Sequence, residues 1–218
     1  MAKKNRSRKD IIKMYMDHVL EYSSIPESVY KFGKNNGFTE AEFYNFFGSF
    51  ASLEKSIFSS FFDNTIDLLE KNNEYQNFDA QNKLLSFYFT FFEVLKANRS
   101  YVIMTFSTAK SSLKTNTALV GLKNAFKKFI DDLDIETLDL KQEKLEKVKQ
   151  RGLSELSWQQ LLFTMNFWMD DDSPSFEKTD IFIEKSVKTS FELINITPLK
   201  SLVDLGKFFV KEKIIGKN

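Results

Sequence analysis

An all-α protein is what this chain of 218 residues predicts, and three observations carry that expectation. Apolar residues recur three and four positions apart along almost the whole length, the spacing that gives a helix one apolar face. No stretch alternates apolar and polar residues as a half-buried strand does. The 7 glycines and 3 prolines are too few for the tight turns of an all-β fold or for a glycine-rich phosphate loop.

Ile12, Tyr15, Met16, Val19 and Leu20 mark the first helix, roughly residues 8–22. Ser24-Ile25-Pro26-Glu27 has the form of a capping box with an early proline, so a short second helix is expected to run to about Lys34. Asn35-Asn36-Gly37 stops it, because glycine enters the left-handed conformation without a steric penalty. Thr39 and Glu42 make a second capping box, opening a third helix to about Phe46, and Gly48 breaks the pattern again. A long fourth helix, about 51–72, carries Leu53, Ile57, Phe58, Phe61, Ile66, Leu68 and Leu69.

After a polar break from Asn72 to Asn77, helices are expected near 79–97, 99–110, 115–133 and 136–150, the last mostly charged and therefore on the surface. Two cleaner amphipathic helices follow at about 154–170 and 176–194. Between them stands Asp170-Asp171-Asp172-Ser173-Pro174. Three consecutive carboxylates cannot converge on one ion, so Asp172 or Ser173 reads as an N-cap and not as a metal site. Thr197-Pro198 opens a last helix to about Ile215.

Composition excludes several functions. With no cysteine, a disulfide scaffold, a thiolate zinc site and a cysteine nucleophile are ruled out. A single histidine, His18, argues against a histidine metal site or a catalytic triad, and reads as a helix-surface residue. The carboxylates fall on polar faces with no recognisable acid/base pair, so no enzyme and no cofactor is expected. The net charge of +1 leaves nucleic-acid contact to a local patch. That patch is the arm Met1–Lys9, whose Lys3, Lys4, Arg6, Arg8 and Lys9 would neutralise phosphates. The arm lacks the apolar core of a secretory signal, and no run is long enough to span a membrane, so a cytoplasmic protein is expected.

A short helix, a glycine break and a second capped short helix form the layout of a helix-turn-helix. Here Phe32-Gly33, then Gly37-Phe38, Thr39, Tyr44, Phe47 and Leu53 stand at the spacings of the TetR family of regulators, which this segment resembles. Gly33 would let the two helices approach, and Val29, Phe32, Phe38, Phe43 and Phe47 would form the small core that sets their angle. The resemblance implies residues 1–50 as a DNA-binding head with its basic arm, and 51–218 as a helical ligand-binding and dimerisation domain. It adds Thr39, Tyr44 and Asn45 to the arm as candidate contacts to double-stranded DNA. Three positions depart from the family: Glu40 and Glu42 open the recognition helix, and Phe50 stands where a lysine is usual. Residues 10–58 hold four lysines against seven acids.

In that family the C-terminal helices enclose a ligand, and the last two usual helices build a four-helix dimer interface. Trp158, Leu161, Met165 and Trp168 on one helix, and Phe176, Ile183, Val187 and Phe191 on the next, are the matching stripes expected to meet a second copy. Among the 24 phenylalanines, Phe87, Phe91, Phe106, Phe126, Phe129, Phe163 and Phe167 are the candidate lining for a small hydrophobic ligand. The stretch Trp168 to Val187 is similar to the C-terminal part of the lipid-binding ubiquinone-biosynthesis proteins, which share the TetR-like fold. Two readings follow: a homodimeric regulator that binds operator DNA and answers to an apolar effector, or a module of the same fold that carries a lipid or protein partner without binding DNA.

Overall fold

The structure is a computed structural model that describes residues 6–107, 113, 116–133, 135 and 143–194. Every regular element among them is helical, as the periodicity predicts. The described residues fall into two compact units, one drawn from Met1–Asn73 and Phe89–Lys128, the other from Glu74–Tyr88 and Phe129–Asn218. The expected helix at 198–215 and the start of the one at 136–150 lie outside the described residues.

In the first unit, α1 (Arg8–Tyr22) begins on a capping box in which Ser7 and Asp10 satisfy each other's backbone N–H groups. Helix α2 (Val29–Asn36) starts on Ser28, whose hydroxyl accepts from the Lys31 amide, and not on Ser24. Both serines satisfy the local capping rule. Burial of Pro26 in the connection and of Phe32 on the helix selects the later one. Helix α3 (Glu40–Tyr44) follows three residues later, and α4 (Phe50–Glu70) starts on Ser49. Along α4, Leu53, Ile57, Phe58, Phe61 and Leu69 are buried, but Leu68 is exposed. Two adjacent leucines cannot both face one core, and Leu69 continues the stripe through Phe58, Phe62 and Thr65.

Helix α5 (Ala80–Lys96) leads into α6 (Arg99–Ser107), and the segment expected as one helix at 115–133 is a short turn, Thr117–Leu119, running into α7 (Val120–Asp132). In the second unit, the two helices expected at 136–150 and 154–170 are one, α8 (Glu143–Asp170). Gly152 does not end it. A glycine inside a helix costs about 1 kcal/mol, which the buried stripe from Ser154 onward offsets. Helix α9 (Glu177–Ile194) begins after the turn Pro174–Phe176.

Candidate functional site

The α2–α3 pair is built from two glycines and a knot of rings. Gly37 ends α2 at φ 73°, a left-handed conformation that costs a side-chain-bearing residue about 1 kcal/mol or more. The chain then folds straight back, the Phe38 amide donating to the Gly33 carbonyl at 3.0 Å. A Cβ on Gly33 would lie 2.7 Å from the Phe38 carbonyl oxygen, so only glycine permits this approach. Phe32, Phe38, Phe43 and Phe47 are buried beneath the pair and Val29 is half-buried. Phe32 and Phe38 meet edge to face at 5.2 Å.

Phe50, at the family's lysine position, turns into this knot. Its ring lies 5.5 Å from Tyr15, 5.7 Å from Phe32 and 5.4 Å from Phe43. The Tyr15 hydroxyl donates to Glu54 at 2.6 Å. Burial first, then that hydrogen bond and the Glu54 charge, push the Tyr15 phenol far above its ordinary range, so it acts as a permanent donor. His18 is half-buried on α1, with its ring 4.6 Å from Tyr22 and edge-on to Phe32.

The sequence-predicted DNA contacts are distributed unevenly around this pair. The Thr39 hydroxyl accepts from the Glu42 amide and donates to the Glu42 carboxylate, which also accepts from the Thr39 amide at 2.7 Å. Glu42 is thereby folded onto the helix start, whereas Glu40 is exposed two residues earlier. Tyr44 is 54% exposed and Asn45 beside it is exposed, so both present side chains outward from α3. Arg6 donates to the Asn36 carbonyl at 3.3 Å, at the end of α2. Arg8 lies over the Phe47 ring at 5.3 Å. Lys9 is exposed on α1, and Lys3 and Lys4 lie outside the described residues.

The stripes expected at a dimer interface have another partner. Trp158, Leu161, Met165 and Trp168 of α8 and Ile183 and Val187 of α9 are buried within the single chain, while Phe176 and Phe191 are half-buried. One helix packed on one helix consumes the apolar face of each. Gln160 ties the same seam, donating to Ser186 and accepting from Ser190, each at 3.2 Å. What this seam leaves outside is a second apolar surface: Leu156 is 70% and Phe163 62% exposed, and the Phe182 ring lies 5.5 Å from Phe163 and 4.8 Å from Phe167.

The candidate ligand-lining rings divide between the units. Phe91 and Phe126 are fully buried in the first, where Phe106 packs 5.4 Å from Phe58. Phe87 and Phe129 meet at 4.9 Å in the second, where Phe163 and Phe167 sit in the surface patch with Phe182.

Ser173 is the N-cap before Pro174, one of the two residues expected there, and its hydroxyl accepts from the Lys178 amide at 3.2 Å. The start of α9 is capped in addition by Asp171. Its carboxylate accepts from the Ser173 amide and hydroxyl, and from the Thr179 amide and hydroxyl at 2.9 and 2.7 Å. Enclosure of the group works against its charge, but the four donors outweigh that and hold the carboxyl well below the usual range. Asp172 points outward and pairs with Lys178 at 3.0 Å. The signal that sequence reading missed is the spacing from Asp171 to Thr179, which closes only once Pro174–Phe176 has turned. No described helix is long and apolar enough to cross a membrane.

Residues 83–209, more than half of the chain, match the family model described as Tetracyclin repressor-like, C-terminal domain. A search of curated proteins found no match.

Proposed function

The chain belongs to the tetracyclin repressor-like family, and on that premise we propose that it is a transcriptional regulator that binds operator DNA as a homodimer and releases or grips it in response to a small apolar effector. The observation that carries this reading is the glycine-clasped α2–α3 pair lying ahead of the matched domain. Tyr44 and Asn45 face outward from α3, and Arg6 and Arg8 are held against the same pair. In a helix-turn-helix the second helix enters the major groove while flanking cations contact phosphates. The arm with Lys3, Lys4 and Lys9 would add salt-dependent affinity, Thr39 would hold α3 in shape, and residues 1–50 would act as the head of a ligand-binding and dimerising body. The patch of Leu156, Phe163, Phe167 and Phe182 is the surface that supports a second copy, replacing the buried stripes.

A second reading draws on Glu40 and Phe50. An exposed carboxylate at the start of α3 and an inward-facing ring at the usual lysine position both subtract from phosphate attraction. In that reading the chain carries a lipid or protein partner and has no DNA target.

Anisotropy of duplex DNA taken from upstream of its own gene separates the two. The regulator binds at low salt, weakens with a slope of about 0.9 per phosphate contact, and loses the DNA when residues 1–9 are removed. Failure to bind at low salt leaves the second reading, and native mass spectrometry then identifies the carried molecule.

A further inference from the structure

The first unit holds a groove of about 670 Å³ between α1, α4 and the corner where α5 meets α6, of whose lining the DNA-binding reading uses only Arg8 and Lys9. Its floor is apolar: Ile12, Phe61 and Val94 are each less than a tenth exposed. Its two long walls carry opposite charge. Lys9 and Lys13 stand one helical turn apart on α1, following Arg8 and ahead of a single Asp17. Asp63 and Asp67 stand one turn apart on α4 with Asn64 between them. All four of these lysines and aspartates are exposed, and among the described residues no ion pair joins one wall to the other. Lys96, at the corner, is engaged by Glu93 at 3.0 Å.

Opposite charges held apart across an apolar floor are complementary to a molecule with the same arrangement inverted. We propose that this groove binds a short-chain ω-amino carboxylate, its carboxylate on Lys9 and Lys13, its ammonium on Asp63 and Asp67, and its methylenes on Ile12, Phe61 and Val94. The volume lies within the range of small-molecule sites. A peptide of equal length would carry the same two ends, but its amides would lose water over the apolar floor without gaining partners. A fatty acid would leave the aspartates facing its tail, and an alkylamine would leave the lysines so. The occupied groove would brace α1, the helix whose Arg8 rests on Phe47 beneath α3.

Titration calorimetry of the full chain, without DNA, tests the site independently of the regulator reading. The probe is 8-aminooctanoate, whose charged ends lie about 10 Å apart, near the separation of packed helices. It is expected to bind at least about tenfold more tightly than octanoate or octylamine. D63N/D67N and K9Q/K13Q, all at exposed positions, are each expected to weaken it by a similar factor. Equal affinity for either single-charge chain, unchanged affinity in either double variant, or no heat at all overturns the proposal.

Discussion

The α2–α3 pair and the α8–α9 pair each hold two helices together, and they do so by opposite means. The first consists of helices of 8 and 5 residues, below the length at which a helix survives alone. Its geometry is concentrated in a few atoms: one left-handed glycine, one Cβ-free contact, two capping serine or threonine hydroxyls. The second pair is 28 and 18 residues long, and its geometry is distributed along a seam of large apolar side chains. A concentrated design leaves most of the short pair's surface uncovered and available to a partner, but one methyl group can damage it. A distributed design tolerates local change, yet it consumes the apolar faces that would otherwise be available to a second copy.

That contrast can be broken or sharpened by substitution, beginning with the seam. Trp168 is 1% exposed, so Trp168→Ala should lower unfolding stability by about 3–5 kcal/mol in urea titrations. A loss under about 1 kcal/mol would mean that the seam does not support the α8–α9 pair. In the short pair, Gly33→Ala forces a Cβ against the Phe38 carbonyl and should cost about 1–3 kcal/mol, read from the unfolding midpoint. If the variant matched the parent, the concentrated picture would fail.

Asp171→Asn removes the charge that receives four donors at the start of α9, and about 2 kcal/mol should go with it. The sign with pH is fixed by the depressed carboxyl. Its contribution is full above the ordinary value of 3.8 and disappears as pH falls below that value toward the folded one. The gap between parent and variant should therefore be flat near neutrality and narrow in acid. A gap that widens in acid contradicts the assignment.

The smallest effect on folding is expected at Phe163, which stands exposed outside the seam. Phe163→Ser should leave protomer stability within about 0.5 kcal/mol while weakening self-association, measured by sedimentation. Equal association by both chains would remove this patch from the interface.

Much of the first unit was legible in the sequence because its devices are local. Ser, Thr or Asn before an apolar period, glutamate three residues on and glycine after the last turn act within one or two helical turns, so Gly37, the Thr39–Glu42 box and the buried Phe32, Phe43 and Phe47 could be read in order. Where two local solutions competed, as with Ser24 and Ser28, the choice depended on which residues the rest of the unit buried. The groove was invisible for the same reason: Lys9 and Asp63 are ordinary surface charges until α1 and α4 are set side by side.

By itself, then, the sequence determined the class of the fold, most helix boundaries and the hinge between α2 and α3, since those follow from backbone sterics and from periodicities shorter than a helix. Only the tertiary structure decided that α8 continues through Gly152, that Asp171 caps α9 from eight residues away, and that the Trp158–Trp168 stripe is spent inside the chain. An apolar stripe specifies that it must be covered and leaves open by what. The answer depends on which faces meet across distances that no sequence window contains.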